Sequence, residues 1–211
     1  MPLYREWSIN EHCLAAIWEI QEPESFFLER TGMTSEIKNE KRRIEHLAGR
    51  FLLKHLKEDF PILNIRPDQH DKPRIENNQY HFSISHSWPY VAVSIDPNED
   101  TGIDIQTIRQ GIQKIQHKFL SAEEQQLFNN DTTLLTLAWS AKEAAYKWRG
   151  KRGVDFIEHI PIISFEKNDA GYNINILSKS VDDTKLVHLQ SVVQADFTCA
   201  FVTEIEEWDM E

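Results

Sequence analysis

Two long helix-forming stretches, 36–58 and about Thr132 to Trp148, each stand among short runs of alternating apolar and polar residues, and this pattern constrains the chain to an α+β architecture. The first stretch carries Ile44, Leu47, Phe51, Leu52 and Leu56 at near-helical spacing, with Thr34 or Ser35 as the expected cap and Pro61 as the stop. The Pro-, Asn- and Asp-containing segment 64–79 is expected to be loop with at most short strands, and 80–96 alternates in two pieces, as a hairpin or two neighbouring strands would. The second half opens with a strand at 102–108 and continues into 117–128, where Ser121 and Glu124 have capping-box spacing. After the second long helix, strands are expected at 160–166, 172–177, 186–193 and 197–205, and the acidic end from 204 onward as a solvated tail. Each half then combines strands with one long helix. The boundary near 96–101 gives subdomains 1–100 and 101–211.

A chain of 211 residues with 40% hydrophobic side chains can bury a real core. Cys13 and Cys199 form no CxxC pair, so packing is their expected role and a reducing compartment fits. No run has the length of a membrane span, and the amino terminus lacks the order of a signal peptide, which points to a cytoplasmic protein. The formal charge of -11 argues against general nucleic-acid binding. Lys and Arg nevertheless cluster in 36–58 and in 147-KWRGKR-152, islands suited to a small polyphosphate or an acidic partner patch.

Three stretches hold residues with chemistry. In 102-GIDIQ-106, Asp104 and Gln106 share one strand face, either as the wet side of a half-exposed strand or as two oxygen donors converging on a hard cation such as Mg2+. In 139-WSAKEAAYK-147, Glu143 and Lys147 lie one helical turn apart, either as a surface ion pair or as a metal ligand or base beside a phosphate contact. Trp139 falls on the same stripe and is expected to pack in the core. In 83-SISHS-87 and 71-DKPRI-75, Ser85, His86 and Lys72 are either ordinary turn residues or donors for a phosphate or nucleotide. The glycine-rich nucleotide loops, HExxH and GxSxG are missing, and the nine histidines show no metal-ligand spacing.

Taken in order, 42-RRIEHLAGRFLLKHL-56, DKP with FSISHS, GIDIQ and WSAKEAAYK resemble the Sfp-type 4'-phosphopantetheinyl transferases, with HKFLSAEE similar to a further piece of that family. The resemblance implies two similar α/β subdomains in pseudo-twofold arrangement, coenzyme A in the cleft between them, and a monomer. It also implies a reaction: phosphopantetheine moves from coenzyme A to a serine of an apo acyl or peptidyl carrier protein, leaving adenosine 3',5'-bisphosphate. By position, Asp104 and Glu143 would hold Mg2+, Gln106 would be a weaker ligand where the family more often has glutamate, and Lys147 would neutralise charge on the phosphates. Glu143 would also take the serine proton, directly or through a water. Arg42, Arg50, Lys72, Ser85, His86 and Lys151 would contact coenzyme A phosphates, and the 147–152 island would attract an acidic carrier. The alternative is a non-catalytic module of the same fold that binds coenzyme A or a carrier without turnover.

Overall fold

The run 14-LAAIWE-19 has no polar alternation, and the fold explains why: it forms an inner strand covered on both sides. The computed structural model describes residues 2–76 and 79–208, and its contacts divide the chain into two units, Met1–Thr101 and Gly102–Glu211. In the first unit, β1 (Leu3–Ser8), β2 (Leu14–Glu19), α1 (Glu24–Thr31) and α2 (Glu40–Leu56) are followed by β3 (Ile65–Pro67), β4 (Pro73–Ile75), β5 (His81–Ser87) and β6 (Tyr90–Asp96). The sheet is antiparallel in the order β1-β2-β6-β5, and β3 and β4 form a separate short ladder. Helix α2 lays Ile44, Leu47, Leu52 and Leu53 into a core with Trp18, Val91, Val93 and Ile95. A Cβ at Gly49 would come within 2.9 Å of Ile84, so glycine lets this helix lie close to β5.

Helix α2 starts later than the expected 36, and its cap is neither Thr34 nor Ser35. The Asn39 side chain accepts a hydrogen bond from the Arg42 backbone N–H, satisfying a donor that the first turn leaves open.

The second unit comprises β7 (Ile103–Thr107), α3 (Ile112–Ile115), α4 (Ala122–Phe128), α5 (Thr132–Arg149), β8 (Ile162–Lys167), β9 (Tyr172–Lys179), β10 (Thr184–Val193) and β11 (Phe197–Glu207). Its antiparallel sheet runs β7-β11-β10-β9-β8. The Ser121 and Glu124 capping box is formed, Asp131 caps α5, and Gly150 ends it with φ 65°. The buried side of α5 is built largely from Ala138, Ala141, Ala144 and Ala145, which allow close approach to the sheet. Strand β11 continues to Glu207, paired with β10, so the first four residues of the expected tail are strand; 209–211 lie outside the described residues. Alternation of Glu204, Glu206 and Ile205 on a long edge-to-edge pairing supports this extension better than free solvation.

The architecture is α+β, two antiparallel sheets each carrying a long helix. Among the described residues no helix is long and apolar enough to cross a membrane. Cys13 and Cys199 are both buried, in packing positions.

Candidate active site

Gly102 decides how β7 meets α5. A Cβ there would lie 2.1 Å from the Ala144 carbonyl oxygen and 2.9 Å from the Trp148 backbone nitrogen, so only glycine lets the strand start against the last turns of the helix. From that start the strand sends Asp104 toward the helix. Asp104 pairs with Ala200 of β11, and its neighbour Thr198 reaches Ser140 of α5 through hydroxyls 3.1 Å apart, so this face of the sheet is the helix-covered one. Asp104 is 1% exposed, and Ile103 and Ile105 are fully buried on the other side. The wet-face reading of GIDIQ is therefore incorrect: the strand is covered on both faces.

A carboxylate so buried needs partners. The Lys147 ammonium donates to Asp104 Oδ1 at 2.6 Å, and the Gln106 amide donates to Asp104 Oδ2 at 3.0 Å. Lys147 thus pairs across to the strand, in contrast to a surface pair along its own helix. Glu143, one turn earlier, is part-buried; burial and then the Asp104 charge push its carboxyl up to about 7, against the opposing pull of Lys147. Asp104, Gln106, Glu143 and Lys147 thus form one group. Its oxygen donors are two carboxylates and an amide, the hard-donor chemistry that Mg2+ takes, and Asp104 and Glu143 would hold it with Gln106 as a neutral third donor. Among the described residues no three of His, Cys, Asp and Glu cluster as a metal cage.

Glu143 also borders a cavity of about 450 Å³ walled by Phe119, Trp139, Tyr146, Val154 and Phe156. Trp139 is a wall of this cavity, its ring 5.0 Å from Phe119 and 5.4 Å from Phe156 by centroids, so it is only partly the core residue that its stripe suggests. Behind Glu143, the fully buried Lys142 reaches Glu124 at 2.6 Å and donates to the Phe156 carbonyl at 2.9 Å. Glu124 in turn accepts from the backbone N–H groups of Ser121 and Ile162. In the sequence Glu124 shows only its capping-box role, and neither Gly102 nor the ion pair with Lys142 is visible there, although each stands inside a motif-bearing stretch.

The remaining predicted residues belong to the first unit and to the loop after α5. In the first unit, Arg50 is largely desolvated, its guanidinium pushed down to about 10 by burial alone, and its hydrogen bond is to the His46 carbonyl of its own helix. Among the described residues no carboxylate pairs with it. Arg42 is exposed at the start of α2. His86 sits on the buried Glu45, 3.2 Å away, and Ser85 is buried in β5. Lys72 is also buried, its ammonium 3.4 Å from Asp100, and burial pushes it down to about 8. Asp100 gathers Arg74 and His81 as well, which holds its carboxyl far below the ordinary range. In the second unit, Lys151 lies 3.3 Å from Asp182 in a different cavity of about 460 Å³, and Arg149 is held by Asp183 and Ser180. The 147–152 island is therefore divided: Lys147 faces Asp104, and the rest faces the loop after β9.

Residues 100–202 match the family model of the 4'-phosphopantetheinyl transferase superfamily, a span that includes Gly102, Asp104, Glu124, Glu143 and Lys147. The match supports that superfamily, and with it a transferase of phosphopantetheine groups, for the second unit. No curated protein matches the chain.

Proposed function

We propose that the chain is an Sfp-type transferase that moves 4'-phosphopantetheine from coenzyme A to a serine hydroxyl of an apo acyl or peptidyl carrier protein, with Mg2+. The single observation behind this reading is the meeting of Asp104, Glu143 and Lys147, drawn from two separate stretches of sequence, at one part-buried place. Bound there, Mg2+ would supply Lewis-acid stabilisation of the pyrophosphate. Glu143 is proposed to accept the serine proton, directly or through a water, because it lies one helical turn from Lys147 and beside Asp104. The Lys147 ammonium, reaching from α5, neutralises charge on the phosphate oxygens as the bond to the adenosine bisphosphate breaks and the serine oxygen bonds to phosphorus. The aromatic cavity beside Glu143 gives the uncharged arm of the donor an apolar wall.

In the first unit, Arg50 is the strongest of the proposed contacts for the nucleotide phosphates, since a desolvated guanidinium without a carboxylate gains most from an anion. Arg42 and His86 are proposed beside it, and Lys72 and Ser85 act by holding that region in shape as much as by contact. The proposed setting is a cytoplasmic monomer.

Release of adenosine 3',5'-bisphosphate, followed by chromatography with an apo carrier domain, coenzyme A and Mg2+, tests the reading. Release that requires the carrier and stops in EDTA supports it; no release with any of several fatty-acid, polyketide and peptide carriers favours the non-catalytic module.

A further inference from the structure

Each oxygen of the Asp104 carboxylate accepts a hydrogen bond from the chain itself, Oδ1 from the Lys147 ammonium and Oδ2 from the Gln106 amide. One of these donors carries a full positive charge on an oxygen that a hard cation would use. We infer that Lys147 is an internal counter-ion that competes with a divalent cation for Asp104, so that the cation is taken up together with a polyphosphate whose oxygens receive the displaced ammonium. The inference rests on reading Asp104 as a metal ligand.

The burial of the two partners is unequal. The Lys147 side chain is 27% exposed, whereas that of Asp104 is 2% exposed. The lysine, on a flexible four-carbon stem, has room to turn outward while α5 stays in place; the aspartate does not. Its ammonium does not leave alone, because that would cost a buried carboxylate its 2.6 Å ion pair. A divalent ion arriving alone meets the opposite problem: it must displace a cation already 2.6 Å from its ligand, at a place where no three acidic or imidazole groups gather among the described residues. A polyphosphate resolves both. It brings negative charge to the cation and offers acceptors to the ammonium, and no covalent bond changes in the exchange.

The test is binding of Mn2+, standing in for Mg2+, followed by paramagnetic resonance of the free ion with the full chain. Without any phosphate ligand, the native chain binds weakly, and Lys147→Met and Lys147→Gln each tighten binding by about tenfold or more, while Lys147→Arg does not. The gain disappears in Asp104→Asn/Lys147→Met. With coenzyme A added, the native chain gains more affinity for Mn2+ than the neutral variants do. Equal or weaker Mn2+ binding by both neutral variants overturns the inference and leaves the transferase reading standing. Failure of the native chain to bind Mn2+ even with coenzyme A overturns the metal site, and both readings with it.

Discussion

Lys142, fully buried in α5, holds its ammonium 2.6 Å from Glu124 at the start of α4, one residue before Glu143. Burying this pair ties three segments together, since Glu124 also accepts from Ile162 N–H and Lys142 donates to Phe156. Lys142→Met leaves a carboxylate buried without its cation and is expected to destabilise by about 3–5 kcal/mol. Lys142→Met/Glu124→Gln removes both charges and is expected to recover most of that loss. Urea melts of the two variants check this, and equal stability of both would contradict it.

Gly102→Ala drives a methyl group into the Ala144 carbonyl, with 2.1 Å where van der Waals contact requires well over 3 Å. The strand must move off the helix, carrying Asp104 from Lys147. The expected result is destabilisation of about 2–3 kcal/mol and loss of most activity. Thermal melting and turnover on one preparation measure both, and an alanine variant with native turnover would show that the close approach is unnecessary.

Glu143 makes stability depend on pH in a defined direction. Its folded-state carboxyl lies at about 7 against an ordinary 4.5, so the folded chain holds the proton more tightly than the unfolded one. That contribution is full below about 4.5 and is lost as pH rises through about 7. In metal-free buffer, Glu143→Gln should therefore gain on the native chain by on the order of 1–2 kcal/mol between about pH 5 and pH 8. Parallel stability curves would show that burial does not hold Glu143 protonated in the folded metal-free chain.

Gln106→Glu replaces an amide donor 3.0 Å from Asp104 with a second carboxylate. In EDTA the variant should be less stable than the native chain by about 1–2 kcal/mol, because like charges face each other. Mg2+ should offset that loss, since the variant has three carboxylates for the ion. Melting with and without Mg2+ reads this directly; a variant indifferent to Mg2+ would place the ion elsewhere.

Much of this was legible in the sequence, and the misses have physical causes. Helices α2 and α5 showed their periodicity, and the Ser121 capping box was readable from two residues. Strands β1 and β2 and helix α1 were not anticipated; in β2 the run Ala15 to Trp18 is buried on both faces, so the alternation that reveals a strand is erased. GIDIQ shows the converse: Asp104 alternates with Ile103 and Ile105 as on a wet-faced strand, although Asp104 is turned to α5 and buried. Pairing across elements cannot be seen in one stretch: Lys147 matched a surface pair with Glu143 by spacing, and only the approach permitted at Gly102 turns it to Asp104. Lys151 and Arg149 looked like free cations until Asp182 and Asp183, some thirty residues on, came beside them.

The most direct measurement of the central claim is the intact mass of an apo carrier domain after incubation with the chain, coenzyme A and Mg2+. The account predicts one added phosphopantetheine on the carrier serine with the native chain, and none with Asp104→Ala or Glu143→Ala of native fold. An unmodified carrier with the native chain, or full modification by both variants, would contradict it.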